Sequence, residues 1–385
     1  MTSLIAKRYD RLGGRLTSLS FALYISRAFG FPVRLSWPYG RIHPMHIDPE
    51  DVFSPEFLDG RMIDPKDVRQ ILARQGDGPA DHRVIDALSE DEIPSDLNPG
   101  PVGPFVNVLP PKCFAPAIRA AMETLQGQDY SGIHIRHGDL VHGQWRHFGY
   151  MERFIPYDAS LHFIQSTCAP GEVRVHSDEP LAAQHLSQMA AEAGMSDHRF
   201  VSSRGFDGLD PDVFDIFHMA HAREIIAPVK SAYSGFAARY HAHPRRDQTP
   251  EALKPWVEQN IASPKDMISV LYSAKRHLFI IRMLRELGQT DAHLANIHRL
   301  LAHVEATGAE NAELYLLKMA FLPTSAPMSG FDADLAAYVA MMEELRTFMP
   351  PRGGSVRLNE LIEQLDPNDR RIAPIKEAIE VIHPL

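Results

Sequence analysis

Ser131-Gly132-Ile133-His134-Ile135-Arg136-His137-Gly138-Asp139 decides how the chain is read. Ile133 and Ile135 alternate with His134 and Arg136 until the run meets Gly138-Asp139, a turn dipeptide. The stretch therefore predicts a strand that stops abruptly, with His, Arg, His and Asp crowded at its end. In an open α/β sheet ligands sit in the crevice outside the carboxyl ends of the strands. Such a polar cluster is either a ligand site or a solvated loop.

Downstream the pattern recurs. Gly171-Glu172-Val173-Arg174-Val175-His176-Ser177-Asp178-Glu179-Pro180 predicts a second strand ending in a polar turn, and Phe200-Val201-Ser202 a short third. Ile225-Ile226-Ala227-Pro228 predicts a fourth, running into Val229-Lys230-Ser231-Ala232-Tyr233-Ser234-Gly235. Helical periodicity separates these strands, which indicates a parallel sheet with both faces covered. The polar clusters at 134–139, 177–179 and 230–235 should then share one edge.

Upstream, residues 1–12 read as a basic lead-in. Leu12, Leu16, Leu19 and Leu23 recur at helical spacing, so a helix opened by Gly13-Gly14 and ending near Gly30 is expected. Free amides at a helix start, reinforced by the macrodipole, hold anions, and glycines let a phosphate approach the backbone. A simple tight turn fits the segment equally well. Phe31–Trp37 reads as a strand, and residues 41–111, rich in Pro, Asp and Gly, as irregular structure with short helices. Asn98–Pro104 is the linker candidate. Beyond Asp247 the periodicity is helical only, beginning with a helix expected over Pro264–Leu287. The stripe Met267, Leu271, Leu278, Met283 reads as core. The expected division is 1–110, 111–247 and 248–385.

With 385 residues and 44% hydrophobic content the chain can build two or three full cores. A net charge of -10, with no segment that concentrates Lys and Arg, argues against nucleic acid as a partner. Cys113 and Cys168 form neither a disulfide framework nor a Cys-x-x-Cys pair, so a cytoplasmic location is expected. Leu16–Phe31 is apolar but interrupted by Arg27 and followed by no small-residue cleavage site, so it is not expected to be a signal peptide. No run reaches the roughly 20 apolar residues of a spanning helix. Peripheral membrane contact and homo-oligomerisation stay open. Among 20 histidines, pairs such as His43/His46 and His241/His243 arise by chance. His218/His221 would share a helix face at metal-ligand spacing. No functional metal is expected.

Four segments in order resemble the fucosyltransferase superfamily of GT-B glycosyltransferases, which includes nodulation-factor, alpha-1,6-, alpha-1,2- and protein O-fucosyltransferases. Leu12-Gly13-Gly14-Arg15-Leu16 is similar to the family's N-terminal phosphate loop. His134-Ile135-Arg136-His137-Gly138-Asp139 resembles its first motif, His-x-Arg-[Arg/His]-Gly-[Asp/Asn]. Val175-His176-Ser177-Asp178-Glu179-Pro180 resembles the second, and Asp215-Ile216-Phe217-His218-Met219-Ala220 through Ser231-Ala232-Tyr233-Ser234 the third. The resemblance spans residues 8–243.

It implies a GT-B-like α/β fold with two Rossmann-like domains, followed here by an all-helical C-terminal region. It also implies an inverting transfer of L-fucose from GDP-fucose to a hydroxyl of a glycan or glycolipid, with no metal or other cofactor. The motif arginine that holds the β-phosphate maps to Arg136. The guanine contacts map to His134 and Asp215, the nucleoside contact to Asp178 and the phosphate donor to Ser231. Gly13, Gly14 and Arg15 map to the first loop. Chemically these roles are sound, since a carboxylate can accept from both N1–H and N2–H of guanine and a guanidinium forks onto phosphate oxygens. For the base that deprotonates the acceptor, Asp139 is the first candidate, followed by His147 and Glu152.

The chain departs from the family at Gly14, where Asn is usual, and at Ala220 and Lys230, where Ser is usual. Gln144 stands where alpha-1,6 enzymes carry a Glu implicated as base, so the linkage is open. The alternatives are the same fold with another GDP-sugar, a catalytically inactive nucleotide- or glycan-binding protein, and a His-dependent metal hydrolase.

Overall fold

The computed structural model describes residues 3–382, apart from 10, 39–46, 75–81, 144, 146–152, 204, 263–264, 310, 324 and 346–351. It is a mixed α/β structure. Strands β1 (Ser3–Lys7), β2 (Val33–Ser36) and β3 (His82–Ile85) form one sheet in the order β2-β1-β3, parallel throughout. Strands β4 (Ser131–Ile135), β5 (Gly171–Ser177), β6 (His198–Ser202), β7 (Glu224–Ala227) and β8 (Arg245–Asp247) form a second, in the order β6-β5-β4-β7-β8. Within it β4 runs parallel to β7, β7 to β8 and β5 to β6.

Three of these strands correct the sequence reading. The basic lead-in contains β1, the centre of its sheet, with four of its five residues buried. A strand covered on both faces carries no alternation, so the period-2 signal is absent. The stretch read as irregular contains β3, a polar edge strand paired to β1. Residues 245–247, in which the sequence reading named no strand, extend the second sheet beside β7.

The α-carbon contacts divide the chain into two compact units, 1–134 with 169–176 and 182–247, and 135–168 with 177–181 and 248–385. Both sheets lie in the first unit, except for the last residues of β4 and β5. An apolar cluster in it runs from Leu4, Leu16 and Leu19 through Phe53, Phe105 and Phe114 to Phe217, Phe236 and Tyr240. The helix Leu12–Phe29 contributes the leucine stripe and ends at Gly30, whose φ of 75° is the left-handed cap that glycine adopts without strain.

The second unit is helical. A helix expected to begin at Pro264 begins instead at Val270, capped by Ser269, whose Oγ accepts from Tyr272 N. It follows a helix the periodicity had not revealed, Pro250–Asn260, capped by Thr249. Arg276 is buried here with its Nε and Nη2 paired. Its Nη2 donates to Asp158 Oδ2 at 2.7 Å and to Asn260 Oδ1 at 2.6 Å, and its guanidinium lies over the Trp256 ring. Among the described residues no helix is long and apolar enough to cross a membrane.

Candidate active site

β4 delivers the turn that carries the candidate chemistry. Ile135 is buried, and the chain then bends through a single wide helical turn at Gly138–His142. A Cβ at Gly138 would stand 2.4 Å from the Asp178 carbonyl oxygen, so no other residue fits there without moving backbone. Asp178, just beyond β5, closes the turn. Its Oδ1 accepts from the His137 and Gly138 amides, each at 2.9 Å, and its Oδ2 from the Asp139 amide at 3.1 Å. The loops after β4 and β5 therefore lie side by side, as the sequence pattern requires. Burial and the nearby Asp139 charge push the Asp178 carboxyl up to about 6, against the pull of the amides.

Within the turn, Arg136 Nε lies 3.0 Å from Asp139 Oδ1 and Arg136 Nη2 lies 2.6 Å from Asp139 Oδ2. Both carboxylate oxygens thus face the planar fork of one guanidinium. His137 points the other way. It is buried among Phe154, Tyr157 and Tyr272, and its Nε2 donates to the Ile155 carbonyl at 2.7 Å. Lys275, on the helix Val270–Glu286, is buried in the same unit. Burial pulls its ammonium down to about 8, while the charges of Glu313 and Asp139 hold it up.

In the first unit, β4 and β7 place two more expected residues together. His134 Nδ1 lies 3.0 Å from Ser231 Oγ. Ser231 caps the helix Ala232–His241, its Oγ accepting from Ser234 N, and the His134 ring lies 5.3 Å from the Tyr233 ring. The segment Gly13–Arg15 forms the first turn of its helix, with no side-chain cap and no acidic residue. A Cβ on Gly13 would fall 2.4 Å from Tyr233 Cα, so the close approach this glycine permits is that of a second helix. Arg15, only 3% exposed, donates from Nη2 to the Pro38 carbonyl at 2.6 Å and packs over Trp37.

Asp215 and His218 share one face of the helix Pro211–Ala220 and meet His176 of β5. His176 Nδ1 lies 3.7 Å from Asp215 Oδ1, and the His176 and His218 rings are 5.0 Å apart. Burial raises the Asp215 carboxyl, but the facing His176, the Ser203 hydroxyl and the His218 ring more than offset it and leave it below its ordinary value. Burial lowers His218 to about 3, with the His176 charge acting in the same direction, so its imidazole is neutral at pH 7. The spacing of His218 and His221 suggested a pair; instead His218 faces His176, while His221 Nδ1 bonds the Phe217 carbonyl. The sequence reading gave His176 no role. Its signal was a polar residue at a β5 position that a two-sided sheet buries. Gln144, His147 and Glu152 lie outside the described residues.

No protein-family model and no curated protein sequence matches the chain. Among solved structures, fucosyltransferase NodZ from Bradyrhizobium is 14% identical, with a TM-score of 0.38 over 61% of this chain and 91% of that one. NodZ alpha-1,6-fucosyltransferase soaked with GDP-fucose is 16% identical, with a TM-score of 0.38 over 62% and 92% of the two chains. POFUT1 in complex with GDP-fucose is 11% identical, with a TM-score of 0.35 over 64% and 95%.

Proposed function

We propose that this protein is a GT-B-like glycosyltransferase that moves L-fucose from GDP-fucose to a hydroxyl of a glycan or glycolipid, with inversion and without a metal. The observation that carries the reading is the two-point Arg136–Asp139 pair, set in a turn clamped by Asp178. The motif His134-x-Arg136-His137-Gly138-Asp139 and its order relative to Asp178, Asp215 and Ser231 support it.

The acceptor oxygen attacks the anomeric carbon as the bond to the β-phosphate oxygen breaks, and that electron pair leaves on GDP. A guanidinium fork fits two phosphate oxygens as well as it fits a carboxylate. In this reading Arg136 exchanges Asp139 for the diphosphate and stabilises the charge that grows there. The released Asp139 carboxylate takes the acceptor's proton. Asp215 accepts from guanine N1–H and N2–H, His134 supplies a second base contact and Ser231 a phosphate donor. Asp178 serves the nucleoside indirectly, by holding the turn.

The test is GDP release from GDP-fucose in the presence of a panel of glycan acceptors, with and without excess EDTA. Acceptor-dependent release that survives chelation is expected. Release from GDP-mannose but not GDP-fucose would move the reading to another GDP-sugar, and binding without any turnover would leave a nucleotide-binding protein.

A further inference from the structure

We propose that His176, Asp215 and His218 form a zinc site whose occupation withdraws Asp215 from the nucleotide. His176 is 1% exposed, and among the described residues neither of its ring nitrogens has a hydrogen-bond partner. One nitrogen of a neutral imidazole carries a proton and the other a lone pair, so leaving both unsatisfied in the interior is costly. His218, 2% exposed, leaves its Nδ1 in the same condition. Two such rings side by side need a partner that their neighbours do not supply.

Asp215 completes the set. One ring nitrogen from each histidine and one Asp215 oxygen lie within 4.8 Å of one another. The 3.7 Å from His176 Nδ1 to Asp215 Oδ1 is too long for a hydrogen bond. It is close to the separation of about 3.4 Å between two ligands held at roughly 2.0–2.1 Å by a tetrahedral ion. Small side-chain rotations therefore close the site. Two imidazoles and one carboxylate suit zinc, whereas calcium and magnesium favour shells of oxygen. Tyr130 and Phe214 wall the His218 ring, with centroids at 4.8 and 5.2 Å, and Gly132 backs His176. The partly exposed Asp215 leaves the fourth position to water.

A carboxylate bound to zinc cannot also accept from both guanine donors, so zinc should act as an inhibitor. That consequence rests on the nucleotide role proposed for Asp215; zinc binding itself does not. The experiment is a titration of the metal-stripped full chain with Zn²⁺ against a chromophoric chelator, with Co²⁺ absorption as a second readout. One ion per chain is expected, with the intense visible bands of four-coordinate cobalt. Affinity should fall at least about 100-fold in His176→Ala and in His218→Ala and hold in His221→Ala. His218→Ala keeps the test decisive if His176→Ala fails to fold. Equal affinity in the wild type and a folded variant, or no bound ion, overturns the site. If GDP binds, added zinc should weaken it in the wild type and not in His218→Ala; zinc bound without that competition overturns the inhibitory role. If GDP does not bind at all, the nucleotide reading fails while the zinc titration still decides the site.

Discussion

The Arg136 guanidinium meets the Asp139 carboxylate at two points, Nε to Oδ1 at 3.0 Å and Nη2 to Oδ2 at 2.6 Å, three residues apart across one turn. Under the function proposed above, Asp139 is a carboxylate that an incoming diphosphate would have to displace from this fork. Exchange of one anion for another would then couple donor binding to release of the proposed base.

Arg136→Lys keeps the charge and loses the fork. If the contact strengthens as the leaving diphosphate gains charge, turnover should fall by about 10²–10³, on the order of 2.7–4 kcal/mol, and GDP affinity should fall less. Turnover, affinity and melting temperature measured on one preparation separate this from a structural effect. A stable Lys variant with near-normal turnover would remove Arg136 from the chemistry.

Asp178 should behave as a graded structural residue. In Asp178→Asn one oxygen can still accept from the His137 and Gly138 amides, but the NH₂ group then faces the Asp139 amide, at a cost of about 1–2 kcal/mol. Asp178→Ala strands all three amides and should cost at least about 3 kcal/mol. Denaturant titration reads both losses, and two variants as stable as the wild type would show that the clamp contributes nothing.

Asp215→Asn should weaken GDP binding by roughly 1.5–3 kcal/mol and narrow its preference over UDP, because an amide presents its own N–H₂ to guanine donors. Unchanged affinity and selectivity in calorimetry would mean that the base is read elsewhere.

Buried His277 should make the second unit acid-labile. Burial, followed by the Arg276 and His303 charges, lowers its pKa from 6.5 to about 4, although Asp266 opposes the shift. The folded state is then the weaker base, so this contribution to stability is intact above pH 6.5 and is lost as pH falls toward 4. The slope should be on the order of 1 kcal/mol per pH unit. His277→Gln, which keeps an acceptor for the Lys265 amide, should show a shallower loss between pH 7 and 5. An unchanged slope would locate the acid response in other groups.

The strand carrying the first motif was legible because Ile133 and Ile135 alternate with polar residues and Gly138-Asp139 ends them. The cap at Gly30 was legible for a similar local reason. What escaped was decided by tertiary placement. β1 is buried on both faces, and β8 is a three-residue charged edge that only its pairing with β7 defines. The candidate site divides in the same way. Arg136 and Asp215 stand in motifs, whereas the Asp178 clamp and the approach of His176 to His218 depend on segments far apart in sequence. The need for Gly13 also came from a distant segment, since its close neighbour is the Tyr233 backbone.

The most direct test of the central claim is a calorimetric titration of the full chain with GDP, GDP-fucose and UDP under identical conditions. The account predicts one site that binds GDP and GDP-fucose and binds UDP at least about 10-fold more weakly, the loss of one guanine-specific charge-assisted contact. Equal binding of UDP, or no heat with either guanine nucleotide, would contradict it.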